Sequence, residues 1–385
     1  MSKHPLWLVG FRPFFALACL SGIVLPIAWL PMFACWIAAP GAAYTAIQWH
    51  AHEMFFGFGW AMLAGFLLTA SKNWVKIRGY HGGALVFLAA AWGFERLGMV
   101  FGAAWPPPLF LLSNQLFLVA VVAMLLWTLL RHRDSDGYRR DNVYFLLLLP
   151  LFPVAKFLLL DGHWSQAGQT MALGLFRLAF LIMLERTLTE FMKNVFKAQI
   201  LRHPVLDNAI KALALAAAFS GFLPPALQGG LALLLAALLA GRFAFWKPAL
   251  GFSRLDIGIM YLGYLAIVLQ LLVVAFEQLA QIVWVGSVSI HLFTFGAMGL
   301  IVPAMIVRIS KGHTGRKVSF EATDKAVLWL MIAALVFRVV APQILPGVYL
   351  LWVSLAAAGW TIAFALLAWR VVPLLLAPRV DGREH

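Results

Sequence analysis

The sequence predicts an all-α integral membrane protein, a polytopic bundle of about 12 transmembrane helices, and three observations carry this prediction. Of the 385 residues, 63% are hydrophobic and only 11% are charged, whereas soluble domains are about half apolar and about a quarter charged. Apolar runs of about 20 residues, the length that spans a bilayer, recur along the whole chain. Lysine and arginine gather in every second break between those runs. A soluble enzyme, a disordered chain and a coiled coil are thereby excluded.

Twelve spans follow from apolar runs that are bounded by proline, glycine or charged residues. They are expected at 14–38, 44–71, 83–103, 109–130, 143–160, 167–191, 207–223, 229–246, 256–276, 282–307, 323–341 and 347–371. No long linker or soluble segment separates them. We therefore expect residues 1–385 to form a single integral membrane domain.

The net charge of +14 would favour nucleic acid in a soluble protein, but the positions of the charges give it another meaning. Outside the span interiors, every lysine and arginine falls on one side of the predicted topology. The loops around Trp105, Asp161, Gln228 and Gln343, on the other side, contain none. Positive residues concentrate in the cytoplasmic loops of membrane proteins. We therefore expect both termini in the cytoplasm, a lipid bilayer as the surroundings, and no nucleic-acid partner.

Charged side chains also fall within the predicted spans. The basic ones are Arg96, Lys156, Arg177, Arg186 and Arg338, and the acidic ones inside spans or at their edges are Glu53, Glu95, Glu185 and Glu190. A charge at the bilayer centre costs about 2.5–3.5 kcal/mol on insertion scales, so such residues face the bundle interior and mark function. An arginine fork pairs well with carboxylates such as haem propionates. Internal salt bridges, for instance within Glu95–Arg96, are the alternative.

Three of the ten histidines fall within predicted spans, near the same outer end. His50 and His52 lie in the second span, and His291 lies in the tenth. Successive helical residues turn by about 100°, so His50 and His52 point to nearly opposite faces and one helix could serve two sites. Neutral imidazole is a good ligand for iron, copper or zinc. These residues predict a haem or metal site near the outer face; hydrogen-bonded histidines at a helix end are the alternative.

Several motifs together resemble the NnrS family of bacterial membrane proteins, over nearly the whole chain. They are Gly10-Phe11-Arg12-Pro13-Phe14-Phe15, Trp49-His50-Ala51-His52-Glu53-Met54, the stretches 65–70 and 291–299, and Gly312-His313-Thr314-Gly315-Arg316. The middle of the chain is less similar. Where the family has Gly-Arg followed by Pro near the end of the sixth span, this chain reads Glu185-Arg186-Thr187.

The resemblance implies a haem- and copper-containing inner-membrane protein of nitric oxide metabolism and nitrosative-stress protection. It makes His50, His52, His291 and His313 the candidate metal ligands. The predicted topology places His313 on the cytoplasmic side, about 30 Å from the other three. We therefore expect His313 to lie in a cytoplasmic turn that caps the tenth span, or to form a separate site.

With the resemblance, we expect haem b, one or two per chain, with copper as a further metal, and an oxidoreductase like nitric oxide reductase that binds and reduces nitric oxide. His50 or His52 would pair with His291 as axial ligands, and the other would face a second haem or copper. Glu53 and Glu95 would donate protons or bind metal. Arg96, Arg177 and Arg338 would hold propionates, and quinol would supply electrons.

Two alternatives belong to other functional classes. One is a non-catalytic haem or copper scaffold. The other is a metal-handling transporter, which would show broken helices at matched points of two repeated halves; the sequence shows no such pattern.

Overall fold

A computed structural model describes residues 4–40 and 44–382, and these residues contain helices and no strands. Within them, 11 helices are long and apolar enough to cross a membrane. The prediction of an all-α polytopic membrane bundle is therefore confirmed, and the chain is a multi-pass membrane protein.

We number the principal helices in chain order. They are α1 Phe11–Phe33, α2 Ala46–Trp74, α3 Gly83–Ala104, α4 Pro107–Arg131, α5 Arg139–Leu160, α6 Ser165–Phe196, α7 Pro204–Ala218, α8 Pro225–Ala244, α9 Leu255–Leu279, α10 Val288–His313, α11 Ala322–Ile344 and α12 Pro346–Leu376.

The seventh predicted span is the one that falls short of a full transmembrane helix. It corresponds to α7, which has 15 residues and is followed by a 3-10 turn at Ser220–Phe222. Pro224 and Pro225 come next, and a residue that precedes proline is disfavoured in the α conformation. The apolar run is thus divided between a helix, a turn and the start of α8.

The chain divides into two compact units, each built from segments that are not contiguous in sequence. Unit 1 consists of Met1–Ser165, Met305–Ser319 and Phe364–His385, and unit 2 consists of Gln166–Ala304 and Phe320–Ala363. Unit 1 therefore contains α1 to α5, and unit 2 contains α7 to α9, α11 and nearly all of α6. The helices α10 and α12 give their first parts to unit 2 and their last parts to unit 1.

Arg12 explains why the first motif carries a charge among aromatic residues. Its side chain is buried, and Nη1 donates hydrogen bonds to the carbonyl oxygens of Leu375 at 2.6 Å and Ala377 at 2.7 Å. These carbonyls belong to the end of α12 and the residue after it, where helical partners run out. Arg12 therefore ties the beginning of α1 to the end of the last helix.

The tenth helix begins six residues later than the predicted 282 and ends six residues later than the predicted 307. Before it, Gly286 has a φ of +76°, and the backbone N–H of Val285 donates to Gln343 Oε1 at 3.0 Å. At its end, Thr314 Oγ1 donates to the carbonyl of Ser310 at 2.6 Å, and Gly315 has a φ of +78°. The turn expected around His313 is present and caps α10.

Three stretches of π-helix adjoin residues that the sequence singled out. They span Glu53–Gly59 in α2, Leu292–Met298 in α10 and Val336–Val340 in α11. The first follows His52, the second follows His291, and the third contains Arg338. Single π turns inside α-helices occur frequently at functional sites.

Candidate functional site

Unit 1 contains a buried group of charged and polar side chains contributed by α2, α3, α4 and α5. We call it the Glu95 cluster, and its members are His52, Glu53, Glu95, Arg96, Asn114 and Lys156. All are buried except Arg96, whose side chain is 16% exposed. Besides His52, the cluster contains three residues that the sequence predicted as site residues, Glu53, Glu95 and Arg96. His50 is not part of it.

The Glu95 carboxylate is the centre of the cluster. Its Oε1 lies 2.7 Å from Arg96 Nη2 and 3.3 Å from His52 Nε2, and Lys156 Nζ contacts the same oxygen. Arg96 Nε also lies 3.3 Å from Glu53 Oε2. Two carboxylates thus face two cations, so the cluster is neutral when His52 is uncharged. Buried ions need such pairing because desolvation is expensive.

The His52 ring lies between the two carboxylates. Its Nδ1 is 3.0 Å from Glu53 Oε1, and its Nε2 is 3.1 Å from Asn114 Nδ2 and 3.3 Å from Glu95 Oε1. In the neutral ring, Nδ1–H donates to Glu53 while Nε2 accepts from Asn114. Nε2 also faces Glu95, so the two ring nitrogens of His52 lie against different carboxylates.

The position of Arg96 depends on a glycine in the π-helical stretch of α2. A Cβ on Gly57 would overlap Arg96 Nη1, so the guanidinium would have to leave this position if residue 57 carried a side chain. On its other side, Arg96 lies 5.3 Å from the ring centroid of Trp92, whose Nε1 donates to the carbonyl of Gly57 at 3.0 Å. From the sequence alone, ordinary helix packing is a sufficient reason for the glycines of α2. The structure shows that one of them, Gly57, lies against the charged group of Arg96.

His50 has different surroundings from His52, as their two-residue separation predicts. Its ring stacks on Trp29, with centroids 4.1 Å apart and an interplanar angle of 18°. It is half-buried, whereas His52 is buried completely. The two histidines of α2 therefore belong to separate environments within unit 1.

His291 forms the corresponding site of unit 2, together with Arg338 and Tyr349. Arg338 Nη2 donates to His291 Nε2 at 3.2 Å, and Arg338 Nη1 donates to Tyr349 Oη at 2.8 Å. Because a guanidinium only donates, His291 Nε2 must be the unprotonated nitrogen. The proton is on Nδ1, which donates to the carbonyl of Ser287 at 2.7 Å. A backbone carbonyl on Nδ1–H is the arrangement that commonly orients a metal-binding imidazole.

His52 and His291 share a local sequence and a local structure. The pattern is His52-x-x-x-Phe56-Gly57 in α2 and His291-x-x-x-Phe295-Gly296 in α10, and a Ser-Lys pair follows each histidine at the same separation. Each ring is tilted against the phenylalanine four residues later, at 5.7 Å and 5.9 Å between centroids. Each histidine directly precedes a π-helical stretch. This repeated pattern is a signal that sequence reasoning missed.

Arg177 lies in α6, in unit 2, and is 5% exposed. Its Nη1 donates to Gln270 Oε1 at 3.0 Å. Among the described residues, no carboxylate forms an ion pair with it, in contrast to Arg96. The structure therefore places Arg177 with Gln270 and not with any of the predicted histidines.

His313 is the last residue of α10 and serves packing at the turn. Its ring lies 5.5 Å from Phe11, and its carbonyl oxygen accepts from Arg379 Nη1 at 3.0 Å. Arg379 lies beyond the last helix, and its hydrogen bond to Asp381 holds the pKa of Arg379 above its usual value. Over residues 4–40 and 44–382, no three His, Cys, Asp or Glu side chains are grouped to hold a metal ion.

Sequence reasoning did not single out Asn114 or Tyr349, which contact His52 and Arg338, respectively. It noted Lys156 as one of the cations within spans but did not predict its contact with Glu95. Polar side chains such as Asn114 and Tyr349 are not conspicuous in a sequence, because their partners come from other helices. Lys156 had a signal, since it is the only lysine among the five basic residues that fall within predicted spans.

Comparison with known proteins agrees with the motif-based resemblance. The family model described as NnrS protein matches residues 5–379, nearly the whole chain. Both histidine sites and the Arg12 contacts to the end of α12 fall within the matched residues. No curated protein shows a significant match.

Proposed function

The chain belongs to the NnrS family, and on this basis we propose that it is a haem protein of the bacterial inner membrane that binds nitric oxide and reduces it. The family supports a link to nitric oxide and to haem and copper. The two histidine sites supply residues whose chemistry suits such a role. A non-catalytic haem scaffold is the second candidate, and the same residues support it.

The observation that carries the proposal is the hydrogen bonding of His291. Its Nδ1–H is held by the Ser287 carbonyl, so Nε2 is the nitrogen with the lone pair, and that lone pair accepts from Arg338 Nη2. Were Arg338 to pair with a haem carboxylate instead, His291 Nε2 would be able to bind the iron. When bound, haem would supply an iron centre that exchanges electrons and binds nitric oxide.

For the Glu95 cluster we propose proton transfer. Reduction of two nitric oxide molecules to nitrous oxide and water consumes two protons and two electrons. His52, Glu53 and Glu95 form a short chain of hydrogen-bonding groups along which a proton can pass, and Arg96 and Lys156 balance the charge of the two carboxylates. Quinol in the bilayer is the proposed electron donor, and nitric oxide, small and apolar, reaches the protein through lipid.

Copper finds less support. In the described parts of the chain, no group of three ligating side chains is present, so no step is derived through copper. His313 lies at a packed turn beside Phe11 and is not assigned a ligand role.

Optical spectra of the purified full chain, oxidised and dithionite-reduced, test the proposal. We expect a Soret band and the α and β bands of haem b. His291→Ala should lose or shift them, whereas the control His163→Ala, in an exposed loop, should leave them unchanged. Absence of both chromophore and bound iron would refute the proposal. Anaerobic nitric oxide consumption with reduced quinol separates an enzyme from a scaffold, because a scaffold retains the spectrum without turnover.

A further inference from the structure

Unit 2 contains a polar cavity of about 150 Å³ at one end of α6, α8 and α9. Residues at the end of α7, just after α7 and at the start of α10 complete its wall. Among the residues that line it are Gln169, Thr170, Arg177, Gln270, Glu277 and Ser289. A cavity with this many amides and hydroxyls is unusual for a helix bundle that is otherwise so apolar.

One face of α6 leads from the mouth of this cavity to Arg177. The lining residues of α6 are Gln166, Gln169, Thr170, Leu173 and Arg177, a spacing that places them along one side of the helix. At a rise of 1.5 Å per residue, Arg177 lies about 16 Å from Gln166 along the helix axis. The cavity therefore extends from the helix end to a buried cation.

Arg177 lacks an anionic partner. It is 5% exposed, and its Nε is buried with no hydrogen-bond partner among the described residues. Its contact with Gln270 is with a neutral amide. Arginine stays protonated in proteins, and a buried charge is unfavourable unless an opposite charge or sufficient hydrogen bonds compensate it. Among the described residues, no anion therefore contacts Arg177 to compensate its charge.

We propose that the cavity binds a small monovalent oxyanion on Arg177, of the class that includes carboxylates, nitrite and nitrate. The planar guanidinium fork matches the two oxygens of such an anion, and the amides and hydroxyls of the wall supply further donors. A volume of about 150 Å³ is large enough for an anion of a few atoms, because about 10–15 Å³ of such space already holds a water. It lies below the roughly 300–1,000 Å³ of pockets for larger ligands.

Glu277 favours a singly charged ligand over a doubly charged one. It lies seven residues after Gln270 on α9, which is about 10 Å along the axis, and Ser289 hydrogen-bonds to its side chain. At that separation, the negative charge of Glu277 permits a singly charged anion on Arg177 but disfavours a doubly charged one. Removing it should tighten anion binding by about twofold to fifteenfold, for dielectric constants between those of water and a protein surface.

Thermal unfolding of the full chain in detergent, followed by tryptophan fluorescence, tests the site. Nitrite, nitrate, formate and acetate are titrated at constant ionic strength against chloride, with sulfate as the divalent probe. We expect at least one of the four monovalent oxyanions to raise Tm saturably, and sulfate to have a smaller effect. The shift should disappear in Arg177→Gln, persist in the exposed control Arg140→Gln, and reach half its maximum at lower anion concentration in Glu277→Gln.

A second variant keeps the test decisive if Arg177→Gln does not fold. Gln169→Leu leaves the charge and removes a wall amide, so it should weaken the anion effect several-fold. Equal shifts in the wild type and in the folded cavity variants, or no saturable shift with any of the anions, would overturn the proposal. So would a haem spectrum that changes in Arg177→Gln without any anion effect, because a haem carboxylate would then occupy the site.

Discussion

The Glu95 cluster balances two carboxylates against two cations, and replacing Lys156 with methionine would leave one buried negative charge uncompensated. Lys156 and Glu95 are both completely buried, so solvent cannot take over the role of the missing partner. Breaking a buried ion pair by removing one partner costs about 3–5 kcal/mol. We expect Lys156→Met to lower the free energy of unfolding by that amount.

The same reasoning predicts the stability of a variant in which the partner Glu95 is replaced, and of the double variant. Glu95→Gln leaves an excess positive charge, so it should also cost about 3–5 kcal/mol. The double variant restores neutrality, because Arg96 and Glu53 remain as a pair with Nε and Oε2 3.3 Å apart. The sum of the two single effects should therefore exceed the double effect by about 2–3 kcal/mol, the upper part of the roughly 0.5–3 kcal/mol found for residues in contact.

Unfolding of the full chain by SDS in mixed micelles, followed by tryptophan fluorescence, measures these free energies. Arg140→Gln, at an exposed position, is the matched control for loss of a positive charge and should change stability by less than about 0.5 kcal/mol. Additive effects of Lys156→Met and Glu95→Gln would refute the reasoning, because the two groups would then not compensate each other.

Other substitutions test separate parts of the structure. Gly57→Ala should cost about 1–3 kcal/mol by displacing Arg96, while Gly93→Ala, where a Cβ meets nothing within 4 Å, should be neutral or gain up to about 1 kcal/mol; equal effects would contradict this. Burial raises the pKa of Tyr44 from 10.0 to about 12, so the folded state keeps a proton that the unfolded state loses above pH 10. Stability should fall as the pH rises from 10 towards 12, and Tyr44→Phe should flatten that fall; unchanged pH profiles would speak against it. Arg12→Ala removes two charge-assisted hydrogen bonds, worth about 1.5–3 kcal/mol each, and should speed carboxypeptidase cleavage of the C-terminal tail; unaltered cleavage would argue against its contacts with α12.

The fold class could be predicted because the bilayer imposes a simple requirement on composition and on the length of apolar runs. Boundaries were harder where backbone geometry decides them. The apolar residues Ile282 to Val285 look like helix, but Gly286 adopts a left-handed conformation and α10 starts after it. Likewise, Pro224 divides an apolar run into α7 and α8. Hydropathy does not register either event.

The candidate site was predictable in its charges and not in its contacts. A charge inside a span is conspicuous, so Glu95 and Arg96 could be found from the sequence. Their common partner Lys156 comes from α5, and only packing reveals that it shares an oxygen of Glu95 with Arg96. The π-helical stretches also escaped prediction, since a search for a 3.6-residue period assumes the regular α-helix that they interrupt.

The order in which parts of unit 1 can fold follows from the sequence segments that make it up. Its first segment ends at Ser165, and its other segments, Met305–Ser319 and Phe364–His385, come much later. A domain built from one continuous segment can fold as soon as it has been synthesised, but unit 1 cannot. The carbonyls of Leu375 and Ala377, which Arg12 binds, lie 363 and 365 residues after it in the chain. The contacts of Arg12 with the end of α12 can therefore form only after the residues up to Ala377 have been made, whereas the Glu95 cluster, whose members all precede Ser165, can assemble early.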